Sequence, residues 1–389
     1  MILIIIMEIT AKEQEIFANI RQELANSKKT LFFFHDDPDG ICSFLQMNQY
    51  AKTSYGVIVK SKPILDEKFF AKIDSYQPDL VMTLDLAIVK QEFIDHCNEQ
   101  GIKVVIVDHH EINDIKDYTQ YYNPKMFHEG DVTANSSLCY YILEQPKELM
   151  WLAALGTVAD WQLPKFYNMV TAQFPDLTNS FSAHDLMKIC DYKKSESKVE
   201  LLDKALKKAA KKYDKKSVEF LLFNTKLGLL AKIFSFCVKG DMRQVKRNIS
   251  ALMKIKDYDD LLERKSSPSK LVYRTFTKYI TKYLDLLLDG LSKVKNEKIL
   301  VYTYKERDSY SGELANELYY FNPDKFVLVG RLKDHIYRIS MRYKGNALEI
   351  FKNSSEGLEC QGGGHVNACG ASINEKDFDL FVRRIKKQL

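Results

Sequence analysis

The sequence predicts an α/β protein in three parts: a parallel-sheet domain over 1–177, a helical insertion over 178–295 and a smaller α+β domain over 296–389. Short apolar runs alternate with polar helical stretches in the first part, which is typical of a parallel sheet with crossover helices. Long amphipathic stretches follow, and strand patterns return in the last part. A chain of 389 residues is long enough for two or three hydrophobic cores.

The first part contains four short apolar runs, which we interpret as strands buried on both faces: 31–34, 57–60, 80–84 and 104–107. Three of these runs lead directly into polar residues, namely HDDPDG, Asp85 and DHH. Open parallel sheets bind ligands beyond the carboxyl ends of their strands. We therefore expect these polar groups to converge on one crevice.

The middle part has the composition of a helical region, with one proline, Pro268, and three glycines between residues 178 and 295. Within it, 199–213 places apolar residues on one helical face. The opposite face, the lysine face, consists of Lys204, Lys207, Lys208, Lys211 and Lys212. Such a face can follow a phosphate backbone, but most lysine faces opposite an apolar stripe are simply solvated. A protein partner for this insertion is a further alternative.

Composition favours a soluble globular protein, with 46% hydrophobic and 28% charged residues and a net charge of +5. Seven scattered cysteines without a CxxC pair favour a reduced, cytoplasmic location. The opening Met1–Met7 run is too short to span a bilayer and lacks the features of a signal peptide, so we interpret it as an extra edge strand or as sequence before a true start at Met7. We expect no membrane association.

A set of carboxylates and imidazoles at strand and helix ends indicates a metal site: His35, Asp37, Asp39, Asp85, Asp108, His109, His110 and Asp160. One such residue is usually a turn former or a helix cap. Several carboxylates brought together repel each other unless cations neutralise them. Oxygen and imidazole donors without thiolate suit Mn²⁺ or Mg²⁺, although Fe²⁺ and Zn²⁺ also accept them. Two ions about 3.5 to 4 Å apart can promote in-line attack on phosphorus.

Four motifs in chain order resemble those of the DHH phosphoesterases: HDDPDGICS, LDLA, VDHH and GTVAD. Near the C-terminus, SMR and GGGHVNACGAS resemble the DHH-associated domain. That domain accompanies the DHH domain in RecJ-type exonucleases, oligoribonucleases and cyclic-dinucleotide phosphodiesterases. The resemblance covers both ends of the chain, whereas the helical insertion carries no motif of the family.

The resemblance implies six metal ligands: His35, Asp37, Asp39, Asp85, His109 and Asp160. It implies that Asp85 bridges two ions, that His110 faces the scissile phosphate, and that Asp108 orients its neighbours. Many members space the first motif as His-x-x-x-Asp-x-Asp, but the last position here is Ile41. The division of Asp37 and Asp39 between the two ions therefore stays open.

A second group of residues in the last part suggests a phosphate site. Consecutive glycines let backbone N–H groups approach an anion, and neighbouring histidine and arginine side chains supply charge-assisted donors. These residues are Gly362, Gly363, Gly364, His365 and Arg342, with Ser340 supporting Arg342 or the ligand. We expect the glycines to form a loop that faces the metals across a cleft.

Together the motifs imply a phosphodiesterase with two Mn²⁺ ions, or Mg²⁺, that hydrolyses single-stranded or short nucleic acids as an exonuclease or oligonucleotidase. A cyclic-dinucleotide phosphodiesterase would share every residue named. A noncatalytic replication scaffold of the same superfamily is the alternative from a different class. Such relatives tend to lose metal ligands, whereas this chain keeps all six.

Overall fold

The computed structural model describes residues 9–60, 64–193 and 195–389. These residues form two compact units. The first contains the described residues of 1–180 together with 216–276, and the second contains those of 181–215 together with 277–389. The predicted edge strand at Met1–Met7 lies outside the described residues.

The first unit is built on a parallel sheet, with a separate pair of short parallel strands. Along the chain its strands are β1 (Thr30–His35), β2 (Ser54–Val59), β3 (Ile64–Leu65), β4 (Leu80–Leu84), β5 (Ile88–Val89), β6 (Lys103–Val107) and β7 (Gln120–Tyr122). The main sheet has the order β2-β1-β4-β6-β7, and every neighbouring pair in it is parallel. The direction of winding changes between β1 and β4, which is where open α/β sheets form their ligand crevice.

Helices precede and connect these strands and continue after them. They are α1 (Ala11–Asn26), α2 (Pro38–Asn48), α3 (Phe70–Tyr76), α4 (Gln91–Glu99), α5 (Asn135–Ile142), α6 (Met150–Ala159), α7 (Tyr167–Gln173) and α8 (Pro175–Thr178). Next along the chain are α9 (Ala183–Ile189), α10 (Glu196–Ala210), α11 (Val218–Asn224), α12 (Lys226–Cys237), α13 (Met242–Leu252), α14 (Tyr258–Glu263) and α15 (Ser267–Ser292).

Strand β1 shows why the central strands are apolar throughout. Leu31 and Phe33 pack into the core beneath α3 and α4. On the opposite face, the rings of Phe32 and Phe34 pack against Phe44 of α2, with centroid distances of 5.4 and 4.3 Å. Because both faces of β1 are covered by helices, a polar side chain on either face of the strand would lie in a hydrophobic core.

The second unit contains a mixed sheet of five strands in the order β11-β12-β10-β9-β8. The strands are β8 (Ile299–Tyr304), β9 (Phe326–Lys333), β10 (Ile336–Arg342), β11 (Cys360–His365) and β12 (Ala368–Asn374). Among the described residues, only the β8–β9 pair of this sheet is parallel. Its helices beyond α15 are α16 (Ser311–Phe321), α17 (Ala347–Ser355) and α18 (Glu375–Gln388), of which α17 and α18 contribute to the main apolar core of the unit.

The predicted fold class is confirmed in its parts: a parallel-sheet N-terminal unit, a helical region and a separate C-terminal α+β sheet. The helices of 178–295 are divided between the two units, because α9 and α10 belong to the second and α11 to α14 to the first. Each amphipathic helix buries its apolar face on the core nearest to it. The limits of independently folding domains stay a prediction. No helix within the described ranges is long and apolar enough to cross a bilayer.

Candidate metal centre

The polar residues that follow β1, β4 and β6 lie at one edge of the main sheet, as the sequence predicts. His35 is the last residue of β1, Asp85 follows β4 directly, and Asp108 follows β6. Asp85 has a left-handed backbone with φ of 60°. Aspartate tolerates this conformation better than most residues, and such strain is concentrated at functional sites.

A tight turn after β1 brings the first motif back over the strand end. Asp37 caps α2, and its Oδ1 accepts a hydrogen bond from the backbone N–H of Gly40 at 2.9 Å. A Cβ atom on Gly40 would lie 2.6 Å from the carbonyl oxygen of His35. Only glycine therefore permits this close approach, which holds Asp37 beside His35.

Asp39 is buried in the first turn of α2, and the N-terminus of α5 holds its carboxylate. Its oxygens accept hydrogen bonds from the backbone N–H groups of Asn135 at 2.7 Å and Ser136 at 2.9 Å. Helix α6 packs against this pair at Gly156, where a Cβ would lie 2.9 Å from Asp39 Oδ1. The glycine of GTVAD thus has a packing role beside the predicted site.

Seven of the eight predicted polar residues form three overlapping groups. Within each group, one donor atom per residue lies within 4.8 Å of the others. The groups are His35, Asp37 and Asp85; Asp85, His109 and His110; and Asp39, His109 and Asp160. Asp85 and His109 each belong to two groups, and the bridging role of Asp85 stays a prediction. His110 shares a group with Asp85 and His109, and its role at the phosphate stays a prediction.

Hydrogen bonding leaves several donor atoms of these groups available to a cation. The carbonyl of Val132 lies 3.1 Å from His109 Nδ1. A carbonyl only accepts, so Nδ1 is a donor, and Nε2 is the ring nitrogen that a cation could bind in place of a proton. His109 Nε2 lies 3.2 Å from Asp85 Oδ1. Asp85 Oδ2 is buried without a hydrogen-bond partner among the described residues.

His35 offers a similar atom. Its Nδ1 lies 2.8 Å from Asp37 Oδ2, but this buried nitrogen lacks the alignment of a hydrogen bond. Burial acts to lower the pKa of His35, but the neighbouring Asp37 and Asp85 carboxylates outweigh burial and raise the pKa to about 11. For His109, burial is again outweighed by the surrounding carboxylates, and its pKa rises to about 11.

The pKa values of two carboxylic acids in these groups are raised as well, which favours their neutral forms. Burial, followed by the charge of Asp85, raises the pKa of Asp39 to about 7. Burial, followed by the charge of Asp39, raises the pKa of Asp160 to about 8. These carboxyl groups crowd together without enough positive charge to balance them. A divalent cation would supply that balance, so the residues present fit a metal.

His110 is held by Asp108, as the sequence predicts. Asp108 is fully buried, and its two oxygens accept from His110 Nδ1 at 2.8 Å and from the His110 backbone N–H at 3.0 Å. The His110 ring is 34% exposed. Since Nδ1 is occupied, Nε2 is the ring nitrogen that can face a ligand.

Sequence reasoning missed the residue that holds Asp160. Gln162 Nε2 donates to Asp160 Oδ2 at 2.8 Å and to the carbonyl of Val132 at 2.6 Å, while its Oε1 accepts from the Ala134 N–H at 2.9 Å. This amide therefore joins the fourth motif to the segment that contacts His109. Its position two residues after GTVAD was the only signal for it.

The predicted phosphate-binding residues of the second unit lie on neighbouring strands. Ala368 of β12 pairs with Arg342 on β10 and with His365 on β11. Directly opposed residues of antiparallel strands project to the same face. Arg342 and His365 therefore share a face, and the pairing of Gly370 with Ser340 and Gly363 places those two residues on it as well.

The glycine cluster is a strand and not the predicted loop. Gly362 and Gly364 pair with Ala371 and Cys369 in an antiparallel hairpin. A Cβ on Gly362 would lie 2.3 Å from the Ala371 Cβ, so the missing side chain permits close pairing. Strand β11 is at the edge of its sheet, which leaves outward backbone groups unpaired within the sheet.

Arg342 is oriented by a residue that the motifs did not reveal. Its Nε donates to Asn316 Oδ1 at 2.6 Å, and an Nη donates to the Met341 carbonyl at 2.8 Å. Burial lowers the pKa of Arg342 from its high ordinary value. The guanidinium is thus fixed in position and keeps further N–H groups for an anion.

The fold and the centre together define a class: an open parallel α/β unit with clustered carboxylates and histidines at the carboxyl edge of its sheet, combined with a separate mixed-sheet unit. Residues 29–160 match the model of the DHH family, N-terminal domain. Residues 29–160 therefore carry a DHH-family N-terminal domain, which confirms the resemblance of the motifs. A comparison with curated protein sequences finds no match.

Solved structures of similar fold include RecJ in complex with Mn²⁺ from Thermus thermophilus, with a TM-score of 0.59 and 16% identity over 96% of this chain and 54% of that one. The exonuclease RecJ bound to manganese has a TM-score of 0.55 and 16% identity, over 96% of this chain and 93% of that one. CDC45 from Entamoeba histolytica has a TM-score of 0.51 and 10% identity, over 96% of this chain and 98% of that one. This chain thus spans about half the length of the Thermus protein. At these identities the likeness shows the fold.

Proposed function

We propose that this chain is a divalent-metal-dependent phosphodiesterase that hydrolyses single-stranded or short nucleic acids. The observation that carries the proposal is the overlap of three carboxylate–histidine groups at Asp85 and His109. The metal ligands would be His35, Asp37, Asp39, Asp85, His109 and Asp160. We assign them two Mn²⁺ ions, or Mg²⁺, the ions named in two Thermus RecJ structures.

When bound, two such ions would supply Lewis acidity and an activated water for attack on a phosphodiester. The protein's own part is to position donors toward the charge that develops on phosphorus. Burial acts to lower the pKa of His110, but Asp108, which accepts from Nδ1, raises it above its ordinary value, so a protonated ring can donate from Nε2 to a phosphoryl oxygen. The buried Asp108 does not change partner during this step, so it acts as a positioning residue.

In the second unit, we propose that Arg342 and His365 bind another phosphate of the same strand. They share one face of the sheet with Ser340 and Gly363, and Asn316 fixes the Arg342 guanidinium. Two sites for successive phosphates would define where cleavage falls relative to a strand end. This supports an exonuclease or oligonucleotidase.

A cyclic-dinucleotide phosphodiesterase is the alternative substrate class, and it would use the same residues. The presence of all six candidate ligands supports catalysis over a noncatalytic replication scaffold. We expect a cytoplasmic protein from its scattered cysteines. The segment 178–295 is the region that we propose for a protein partner or for additional contacts with nucleic acid.

The decisive experiment incubates the purified full chain with end-labelled single strands, dinucleotides and cyclic dinucleotides in Mn²⁺, in Mg²⁺ and in EDTA. We expect metal-dependent cleavage by the wild type and its loss in Asp85→Ala. Asp114→Ala is the matched control, because Asp114 is an exposed aspartate outside the centre. Equal turnover by Asp85→Ala and the control, or no cleavage of any substrate, would reject the proposal.

A further inference from the structure

Two loops beside the candidate metal centre carry exposed apolar side chains. The first is residues 131–134 and the second is residues 160–163. Val132 is 52% exposed, Trp161 45% and Leu163 42%. Gln162 joins the two loops through its bonds to Val132 and Ala134, so the three side chains belong to one rim.

Trp161 immediately follows the candidate ligand Asp160, at the end of α6. Its backbone is left-handed, with φ of 59°. This conformation is sterically unfavourable for a bulky residue. The turn is fixed by hydrogen bonds from the N–H of Trp161 to the Val158 carbonyl and from the N–H of Gln162 to the Thr157 carbonyl, both at 3.1 Å.

The strained turn does not bury the indole. Trp151, the other tryptophan of the chain, lies in α6 and is only 3% exposed, whereas Trp161 remains 45% exposed. The Trp161 ring lies 5.9 Å from that of Phe223 at an interplanar angle of 59°. The Lys232 ammonium lies 5.9 Å from the Phe223 centroid. The Trp161 ring, next to the metal centre, therefore packs against Phe223 and remains partly open to solvent.

We propose that Trp161, with Val132 and Leu163, forms a nucleobase-binding surface next to the metal centre. The inference rests on the proposed function, since it places the base of a nucleotide whose phosphate is at the candidate ligands. Stacking on an indole tolerates any base, because every base has a π face. The rim would therefore favour nucleotide phosphodiesters over other phosphodiesters without selecting a sequence.

The first test measures binding without cleavage. A short oligothymidylate at increasing concentrations is mixed with the full-length protein in Ca²⁺ in a stopped-flow instrument, and the tryptophan fluorescence is recorded. Stacking on Trp161 should quench the wild-type signal, and Trp161→Phe should show no such quenching because the buried Trp151 is out of reach. Equal quenching in both proteins, or none in either at saturating strand, would overturn the proposal.

The second test asks which base the surface holds. In Mn²⁺, Trp161→Ala should lower kcat/KM for a normal oligonucleotide by about 5- to 150-fold, the equivalent of one stacked base. Trp161→Phe should retain most of the activity. Against oligonucleotides with a single abasic residue at each position in turn, the penalty should disappear at one position. A penalty of equal size on every abasic substrate, or no penalty at all, would contradict a base-binding role.

The two tests separate this inference from the proposed function. Quenching at Trp161 without cleavage of any substrate would support the base-binding surface and reject hydrolysis. Cleavage by the wild type, with Trp161→Ala equally active and no quenching, would reject the surface and leave the hydrolase intact.

Discussion

The side-chain amide of Gln162 donates a hydrogen bond to the Asp160 carboxylate at 2.8 Å. The same nitrogen donates to the carbonyl of Val132, which also accepts from His109. One uncharged side chain therefore orients two candidate ligands on different elements. Residues that hydrogen-bond to metal ligands tune the affinity for the metal without contacting it.

Gln162→Ala should weaken Mn²⁺ binding by about 10- to 100-fold, as loss of such supporting residues typically does. Calorimetric titration with Mn²⁺ measures the effect. Gln173→Ala is the control, because Gln173 is an exposed glutamine of α7. A Mn²⁺ affinity of Gln162→Ala equal to that of the control would show that the amide is dispensable.

A second prediction concerns Glu13, a buried residue in the first turn of α1. Its carboxylate accepts from the Thr10 N–H at 2.8 Å, the Thr10 hydroxyl at 2.9 Å and the Tyr122 hydroxyl at 2.9 Å, and it contacts His128 at 3.2 Å. Burial acts to raise the pKa of Glu13, but these hydrogen bonds outweigh it and hold the pKa below its ordinary value of 4.5.

A lowered pKa in the folded state stabilises the protein above the unfolded value and ceases to do so as pH falls through the folded value. Glu13→Gln should therefore reduce the free energy of unfolding by about 1.5–3 kcal/mol at neutral pH. In urea denaturation, the difference from the wild type should narrow below pH 4.5. Glu15→Gln, at an exposed position of the same helix, is the control. A difference independent of pH would contradict this role.

The third prediction concerns the second unit. Arg342→Ala and His365→Ala should each raise KM for oligonucleotides, with a loss of about 10- to 150-fold in kcat/KM for Arg342→Ala, the equivalent of a charge-assisted hydrogen bond. Mn²⁺ affinity should stay unchanged. Arg247→Ala, an exposed arginine of α13 in the first unit, is the control. Wild-type kinetics for both variants on every substrate length would exclude a phosphate-binding role.

The fourth prediction concerns the lysine face, Lys204, Lys207, Lys208, Lys211 and Lys212. Lys207 pairs with Asp203 and Lys212 with Asp324, at 2.6 and 2.8 Å. If the face follows a single strand, each phosphate contact contributes about 0.7 to the slope of log affinity against log salt. Replacing all five by glutamine would then flatten the slope by up to roughly 3.5, and by about 2 if the two paired lysines do not take part.

Dinucleotide cleavage should be unaffected by these five changes, because a dinucleotide bound at the metals has no further phosphates to contact the lysine face. The matched control replaces five exposed lysines of the first unit by glutamine: Lys52, Lys72, Lys90, Lys116 and Lys147. An unchanged salt slope would identify the lysine face as a solvated surface. Pull-down experiments for a protein partner would then follow.

The sequence predicted the strand ends and their convergence, because parallel strands bring their carboxyl ends to one edge. It did not predict Asn135 and Val132, whose backbone groups contact Asp39 and His109. Contacts through backbone groups leave no residue type to recognise. Gln162 was missed for a related reason, since an amide has no preferred ligand chemistry that marks it in a motif.

The glycine cluster illustrates the opposite difficulty. Three successive glycines indicate a turn by composition. The structure places Gly362 and Gly364 in an edge strand, because their missing side chains permit close pairing with Ala371 and Cys369. The division of the helices between the two units was equally hidden, since amphipathicity identifies a buried face but not the core that buries it.

The central claim is that the three carboxylate–histidine groups hold two metal ions. Its most direct test is anomalous diffraction at the manganese edge from crystals of the full chain soaked in Mn²⁺. We predict two peaks about 3.5 to 4 Å apart, both adjacent to Asp85, with one beside His35 and the other beside His109. No peak at Asp85, or a single peak there at saturating Mn²⁺, would contradict the account.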